Sequence, residues 1–410
     1  MAAGQGSAWR DAAAWLGPVA RAGGQLLGDR LRDLARPGLP RTPEALVPLA
    51  ERLLREAAPT GAPALAPLRA VRLAGRSFES SNCQNFLLAL EYATPADDPV
   101  HAPATLYAKL PCRERATRLF ANAVGFWSVE VTFCRDVANH VPVRVPRVYA
   151  ATQQGSRFVL LLEDLSAEPD VVLFDNRDMA NGTTPEQAAR CIDTFAELHA
   201  ACWDWPRDAR EARFPESLHP YFAPGARRRS RALASVAIEP ARRAAPDLLR
   251  DDHVALLREA VRKWNAVLEA WYREPLTLVH GDSHLANCFE YAGADGRRVG
   301  LLDFQGTHWC PGTRDIQYCL TNSLEPDVLA ECETELLDRY RAALARHGVA
   351  LSDERARAQY RAASLQTLLV AVTTLGLGSL TERTETVRTI LRRSLAAIDR
   401  LDFADWLADL

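Results

Sequence analysis

The chain has 410 residues, too many for one typical domain, and its 48% hydrophobic and 25% charged residues are ordinary for a globular protein able to bury a core in each of two lobes. A net charge of −3 leaves no basic excess to neutralise phosphates, so no nucleic-acid partner is expected. No apolar run reaches the roughly 18–20 residues that span a bilayer, no basic segment precedes an apolar start, and nine cysteines occur without a CxxC pair, so the sequence reads as a cytoplasmic protein with reduced thiols, no membrane partner, no disulfide framework and no zinc knuckle.

Residues 1–60, rich in Ala, Leu and Arg and interrupted by Gly and Pro at 36–43, predict one or two helices ahead of the first lobe. The period then changes. Residues 68–74, 86–93 and 104–110 predict strands, 113–139 a long helix carrying Trp127, Val131 and Cys134 on one stripe, and 145–151 and 158–162 two more strands. From about 166 helices dominate. Thr184 reads as an N-cap with Pro185 in the first turn and Gln187 three residues on, opening a helix over 184–202. Further helices are expected over 246–273, 326–347, 352–377 and 384–400, and the Arg227–Arg229 run reads as a solvated face. Short strands at 276–279 and 299–302 flank a loop inside this helical half. The expected class is therefore α+β: an N-terminal helical extension (1–60), a small antiparallel-sheet lobe with one long helix (61–163), and a larger helical lobe (164–410), with a cleft at their junction.

Residues 278–305 read LVHGDSHLANCFEYAGADGRRVGLLDFQ. Asp282 precedes Asn287 by five positions, and Asp303 opens a DFQ after an apolar run. Phosphoryl transfer needs positioning and charge more than covalent chemistry. Asp282, in a loop, can accept the proton of an attacking hydroxyl. Asn287 and Asp303 offer the hard oxygen donors that magnesium prefers. The same spacing occurs in the protein-kinase H-R-D-L-x-x-x-N loop and its following D-F-G. Lys109 ends a strand and can reach phosphates. Glu130 sits on the next helix among aromatic side chains, has no oppositely charged partner one turn away, and needs one if buried. Lys109 is its natural partner. The segment 76–85 holds Ser80, Ser81 and Asn82 and no glycine, so it is either a donor-bearing phosphate loop or a plain polar hairpin turn. The apolar run 158–166 can present backbone groups to an adenine edge or simply be a buried strand. His199 reads as a core histidine, and Asp315 as a cap or a brace to the catalytic loop.

Taken together, LVHGDSHLANC and GLLDFQ resemble the HGD-x-H-x-x-N and DFQ motifs of the aminoglycoside phosphotransferase and choline kinase superfamily. LEDLS at 162–166, LHAACW at 198–203 and RDIQYCL after the DFQ resemble its ecdysteroid-kinase-like branch. The similarity runs in order and spacing over roughly 65–400. It implies a protein-kinase-like bilobal fold and magnesium-dependent transfer of the ATP γ-phosphate to a hydroxyl of a small molecule. It places Asp282 on the catalytic base, Asn287 and Asp303 on the magnesium ligands, Lys109 on the phosphate-contacting lysine and Glu130 on its helix partner. The backbone of Glu163, Asp164 and Leu165 falls on the adenine-binding hinge. The glycine-poor segment 76–85 departs from the family pattern.

Two other readings remain in view. One is a binding module or pseudokinase that keeps the fold without useful transfer; the other is a metal-dependent hydrolase using His280, Asp282 and His284. For the kinase, acids at 325–335 raise an aminoglycoside acceptor, whereas aromatic residues such as Trp309, Tyr221 and Phe222 favour an apolar alcohol. A monomer or a homodimer fits equally.

Overall fold

In the computed structural model, the described residues are 11–36, 38–56, 65–80, 82–93, 100–218, 224–378 and 384–410. Two helices, α1 (Leu16–Ala35) and α2 (Pro43–Arg55), precede the sheet. Thr42 caps α2 by accepting the Ala45 N–H, and Pro43 occupies its first turn, where a missing N–H costs nothing. Five antiparallel strands follow: β1 (Leu68–Glu79), β2 (Cys83–Tyr92), β3 (Thr105–Pro111), β4 (Val148–Gln154) and β5 (Arg157–Glu163), in the order β1-β2-β3-β5-β4.

Strand alternation decides what each face carries. Leu106, Ala108 and Leu110 of β3 join Phe86, Leu88, Val159 and Leu161 in a core closed by Leu46 and Ala50 of α2. Lys109, between them, therefore lies on the opposite face, paired in register with Asn85 and Leu160. On that face Phe158, Leu160 and Leu162 join Trp127, Val131 and Phe133 in the central core.

The expected helix over 113–139 is divided. α3 (Arg115–Val124) ends and α4 (Phe126–Thr132) begins at Gly125, whose φ of 84° no helix tolerates. A π-helical turn (Phe133–Val137) then turns Phe133 inward. The first strand runs beyond its expected end to Glu79, so the connection to β2 shrinks from 76–85 to three residues.

The remainder is mainly helical: β6 (Val172–Leu173), α5 (Asn176–Asn181), α6 (Pro185–Ala201), α7 (Arg207–Arg213), α8 (Arg227–Ala244), α9 (Asp251–Arg262), α10 (Trp264–Trp271), β7 (Thr277–Val279), β8 (Cys288–Gly293), β9 (Gly296–Leu301), β10 (His308–Cys310), α11 (Thr313–Ser323), α12 (Pro326–Arg346), α13 (Asp353–Leu377), α14 (Thr384–Arg400) and α15 (Phe403–Asp409). Thr184 accepts the Gln187 N–H at the start of α6, the cap its sequence announces. The expected helix 246–273 is two, broken at Lys263. The Arg227–Arg229 run, read as a solvated face, opens α8, and Ser230, Ala234 and Ile238 bury that helix's other side. β7 pairs with β10, and β8 lies between β6 and β9, so the motif stretch is held in two small antiparallel sheets beneath the five-stranded one.

Candidate active site

The loop after β7 is organised by one buried carboxylate. Asp315, in the first turn of α11, accepts the backbone N–H of His280 (2.6 Å) and of Gly281 (3.0 Å), together with Arg314 Nη1 (3.2 Å) and His199 Nε2 (3.2 Å). Burial opposes its charge, but His199 and Arg314 outweigh it and hold the carboxyl well below the usual range. Tyr340 Oη lies 2.9 Å from His199 Nδ1, so that histidine is a satisfied core residue, and Asp315 is a brace to the loop.

His280 accepts the Asp282 N–H at Nδ1 (3.2 Å) and donates from Nε2 to Leu302 O (3.0 Å), which defines a neutral ring. Its burial lowers its pKa in the same sense. Gly281 has a φ of 84°, and a Cβ there would lie 1.8 Å from Gly306 O, so only glycine lets the two loops touch. Gly281→Ala is expected to cost about 3 kcal/mol or more, read from urea unfolding; an unchanged midpoint would show that the contact yields.

This frame aims Asp282. Its Oδ1 accepts Tyr318 Oη (3.0 Å) and lies 3.6 Å from His284 Nε2; its Oδ2 accepts Asn287 Nδ2 (3.1 Å). Burial raises its pKa, but His284 and Tyr318 outweigh it, so the carboxyl sits below its ordinary value and is ionised at neutral pH. Asn287 Nδ2 also donates to Asp282 O (2.8 Å), so the amide nitrogen is turned to Asp282.

Asp303 follows β9 at a φ of 65°, a rare conformation for a residue with a Cβ. Its Oδ1 is buried, has no hydrogen-bond partner among the described residues and lies 3.5 Å from Lys109 Nζ, which in turn lies 2.6 Å from Glu130 Oε1. Burial works against the lysine's charge, but Asp303 and Glu130 outweigh it and keep the ammonium protonated. Lys109 and Glu130 are thus joined across 21 positions of sequence, and Lys109 ties the sheet to the loop bearing Asp303. Phe304 stacks on Phe133 at 3.7 Å and lies 4.7 Å from His280, which fixes the backbone next to Asp303. A buried carboxylate oxygen on Asp303 and the amide of Asn287 are oxygen donors of the kind a hard cation takes, so these residue types fit magnesium.

The other expected contacts are distributed differently. Glu163 is held by Arg144 (3.1 Å) and Arg147 (3.0 Å), and its N–H donates to Arg147 O, while Asp164 accepts from Thr105 and Ser166. With Leu165 buried, this stretch offers a ligand only backbone groups. Ser80 closes the β1–β2 turn on Cys83 O through its N–H and hydroxyl. Asn82 Nδ2 donates to Gln305 Oε1 (2.7 Å), joining the β1–β2 turn to the Asp303 loop, and Ser81 lies outside the described residues. Tyr318 and the Asn82–Gln305 pair escape the sequence reading. The only signal for Tyr318 is its position three residues after Asp315 on one helix face.

Both ring nitrogens of His280 are engaged, so the hydrolase triplet His280, Asp282, His284 lacks a free ligand atom at its first position. Trp309 is buried and donates from Nε1 to Phe214 O (2.8 Å), which makes it core; Tyr221 and Phe222 lie outside the described residues.

Residues 130–352, more than half of the chain, match the sequence profile of the ecdysteroid kinase-like family. The chain belongs to the ecdysteroid kinase-like family. The match starts at Glu130 and takes in Asp282, Asn287, Asp303 and Asp315, leaving α1, α2 and most of the sheet outside it. No curated protein matches the chain. Among solved structures, this family member resembles a choline kinase from Cryptosporidium parvum (10% identity, TM-score 0.49, 90% of this chain and 97% of that one). It also resembles a microcompartment-associated aminopropanol kinase (14%, 0.47, 88% and 98%) and an ethanolamine kinase of Plasmodium vivax (11%, 0.45, 79% and 81%).

Proposed function

We propose that the protein is an ATP- and magnesium-dependent phosphotransferase acting on a hydroxyl of a small organic molecule. The observation that carries this reading is the meeting of Lys109, Glu130 and Asp303 beside the Asp282–Asn287 pair. In this reading Lys109, oriented by Glu130, contacts the nucleotide phosphates. Asn287 and Asp303 would hold magnesium, which when bound neutralises charge on the phosphate oxygens. Asn82 donates to a phosphate, and the backbone at 163–165 receives the adenine edge. Asp282 orients the acceptor hydroxyl and takes its proton as the new O–P bond forms and the bond to ADP breaks. Residues 61–163 and 164–410 form the two lobes around this cleft, with 1–60 as an extension. A reducing, cytoplasmic setting is part of this reading.

An apolar alcohol is favoured over a polycationic sugar. Glu325 is paired with Arg392 and Arg393, and Glu333 with Arg400, so these acids of the 325–335 segment are already neutralised by arginines of α14. The test is an acceptor screen with Mg–ATP, following ADP and phosphate ester together. The expected result is stoichiometric ester from a pool of apolar alcohols. Ester from aminoglycosides alone would overturn the acceptor class, and absence of nucleotide binding would overturn the activity.

A further inference from the structure

Helix α1 turns Asp29 and Asp33 to the protein and four of its five leucines outward. Asp29 is buried and accepts the Ser156 N–H (3.0 Å) and hydroxyl (2.5 Å), while Asp33 receives Arg157 Nη2 (2.6 Å) and Arg41 Nη2 (2.8 Å). Just before the helix, Asp11 takes Arg231 (2.6 Å) and the Trp15 indole N–H donates to Arg229 O (3.0 Å). The helix is thus fastened by its polar side. On the other side Leu16 (69%), Leu27 (57%), Leu31 (59%) and Leu34 (85%) stand in solvent at helical spacing, and no described residue covers them. A surface helix normally turns such a stripe inward.

The exposed charges along this stripe are mainly cationic. Arg21, Arg30 and Arg36 are exposed along its margins, Arg32 is exposed but paired with Asp29 (2.9 Å), and Arg227 and Arg228 are exposed at the start of α8, next to the Trp15 anchor. The acids of this segment, Asp11, Asp29 and Asp33, all bind arginines or turn groups of the protein itself. In a chain of net charge −3, the outward face of α1 is locally apolar and cationic.

We infer that α1 is a peripheral docking element for an anionic lipid surface, its leucines entering the headgroup boundary and its arginines meeting lipid phosphates and carboxylates. The absence of a spanning segment does not bear on this, since such a helix lies in the plane of the interface. A second copy of the chain suits the face less well. The exposed leucines offer on the order of 500 Å², short of the roughly 800 Å² per partner in a stable dimer, and helix pairing about a two-fold axis would crowd the arginine margins together. The inference is independent of the catalytic reading, because it rests on residues outside the cleft.

The test uses the full chain and vesicles of phosphatidylcholine, alone or mixed with phosphatidylserine, in a sedimentation assay at low and high salt. The wild type is expected to bind the phosphatidylserine vesicles more tightly and to be released by salt. The triple variant Leu27→Gln, Leu31→Gln, Leu34→Gln, all at exposed positions, should bind at least about ten-fold more weakly with an unchanged unfolding midpoint. Arg21→Glu with Arg30→Glu should weaken binding to the anionic vesicles alone. Equal binding by the triple variant, or no binding by the wild type, overturns the inference. So does a concentration-dependent dimer that the triple variant dissolves while neither protein binds vesicles, which would assign the face to a second copy.

Discussion

Asp282→Asn is expected to slow phosphoryl transfer by about a thousand-fold while nucleotide affinity stays within a few-fold of wild type. The carboxylate accepts from Tyr318 at one oxygen and Asn287 at the other, and its low proton affinity keeps it an acceptor at neutral pH. The amide has nearly the same shape but cannot take a proton from the acceptor. Because Lys109 and Asp303 are untouched, the nucleotide site should persist. The measurement is turnover with any acceptor found in the screen, or slow hydrolysis of Mg–ATP by water, alongside nucleotide titration. Wild-type turnover in the variant would remove Asp282 from the role of base, and a parallel loss of nucleotide affinity would mark it as a structural residue.

The second large effect concerns Asp315. Replacing it with Asn removes the counter-charge of buried Arg314 and turns an N–H₂ toward groups that are themselves donors, at a cost of about 3–5 kcal/mol. The pH dependence has a definite sign. The folded-state pKa of Asp315 is depressed, so its contribution is fully present above the unfolded value of about 4 and is lost as pH falls through the folded value. In urea unfolding, the gap between wild type and Asp315→Asn should therefore be widest from about pH 5 upward and narrow on acidification. A gap that does not change with pH would mean the carboxylate is not the charged brace of the loop.

Much of this arrangement is legible in the chain because spacing maps directly onto geometry. Strand alternation puts Lys109 on the face opposite Leu106 and Leu110, and an unpartnered Glu130 among aromatics requires a cation there. Thr184 and Gln187 announce the start of α6 by their capping chemistry. The failures are equally physical. Gly125 reads as one tolerated glycine in a helix, yet its backbone is left-handed and breaks the helix in two. α11, TRDIQYCLTNS, is rich in polar side chains, yet every residue of it is buried. Its polar groups are turned to the catalytic loop and to α13, through Asp315 to His280 and Gly281, Tyr318 to Asp282, and Arg314 to Gln366. Hydropathy cannot reveal a helix buried by hydrogen bonds. The Asn82–Gln305 contact joins residues 223 positions apart through two uncharged amides, a pairing with no local pattern.

In the proposed activity, Lys109 and Asp303 build a magnesium-nucleotide site. The most direct test is a calorimetric titration of the wild type and Asp303→Ala with a non-hydrolysable ATP analogue, with and without magnesium. Saturable binding to the wild type that strengthens at least about ten-fold with magnesium is expected, with no such magnesium effect in Asp303→Ala. Absence of nucleotide binding to the wild type, or the same magnesium response in both proteins, would contradict it.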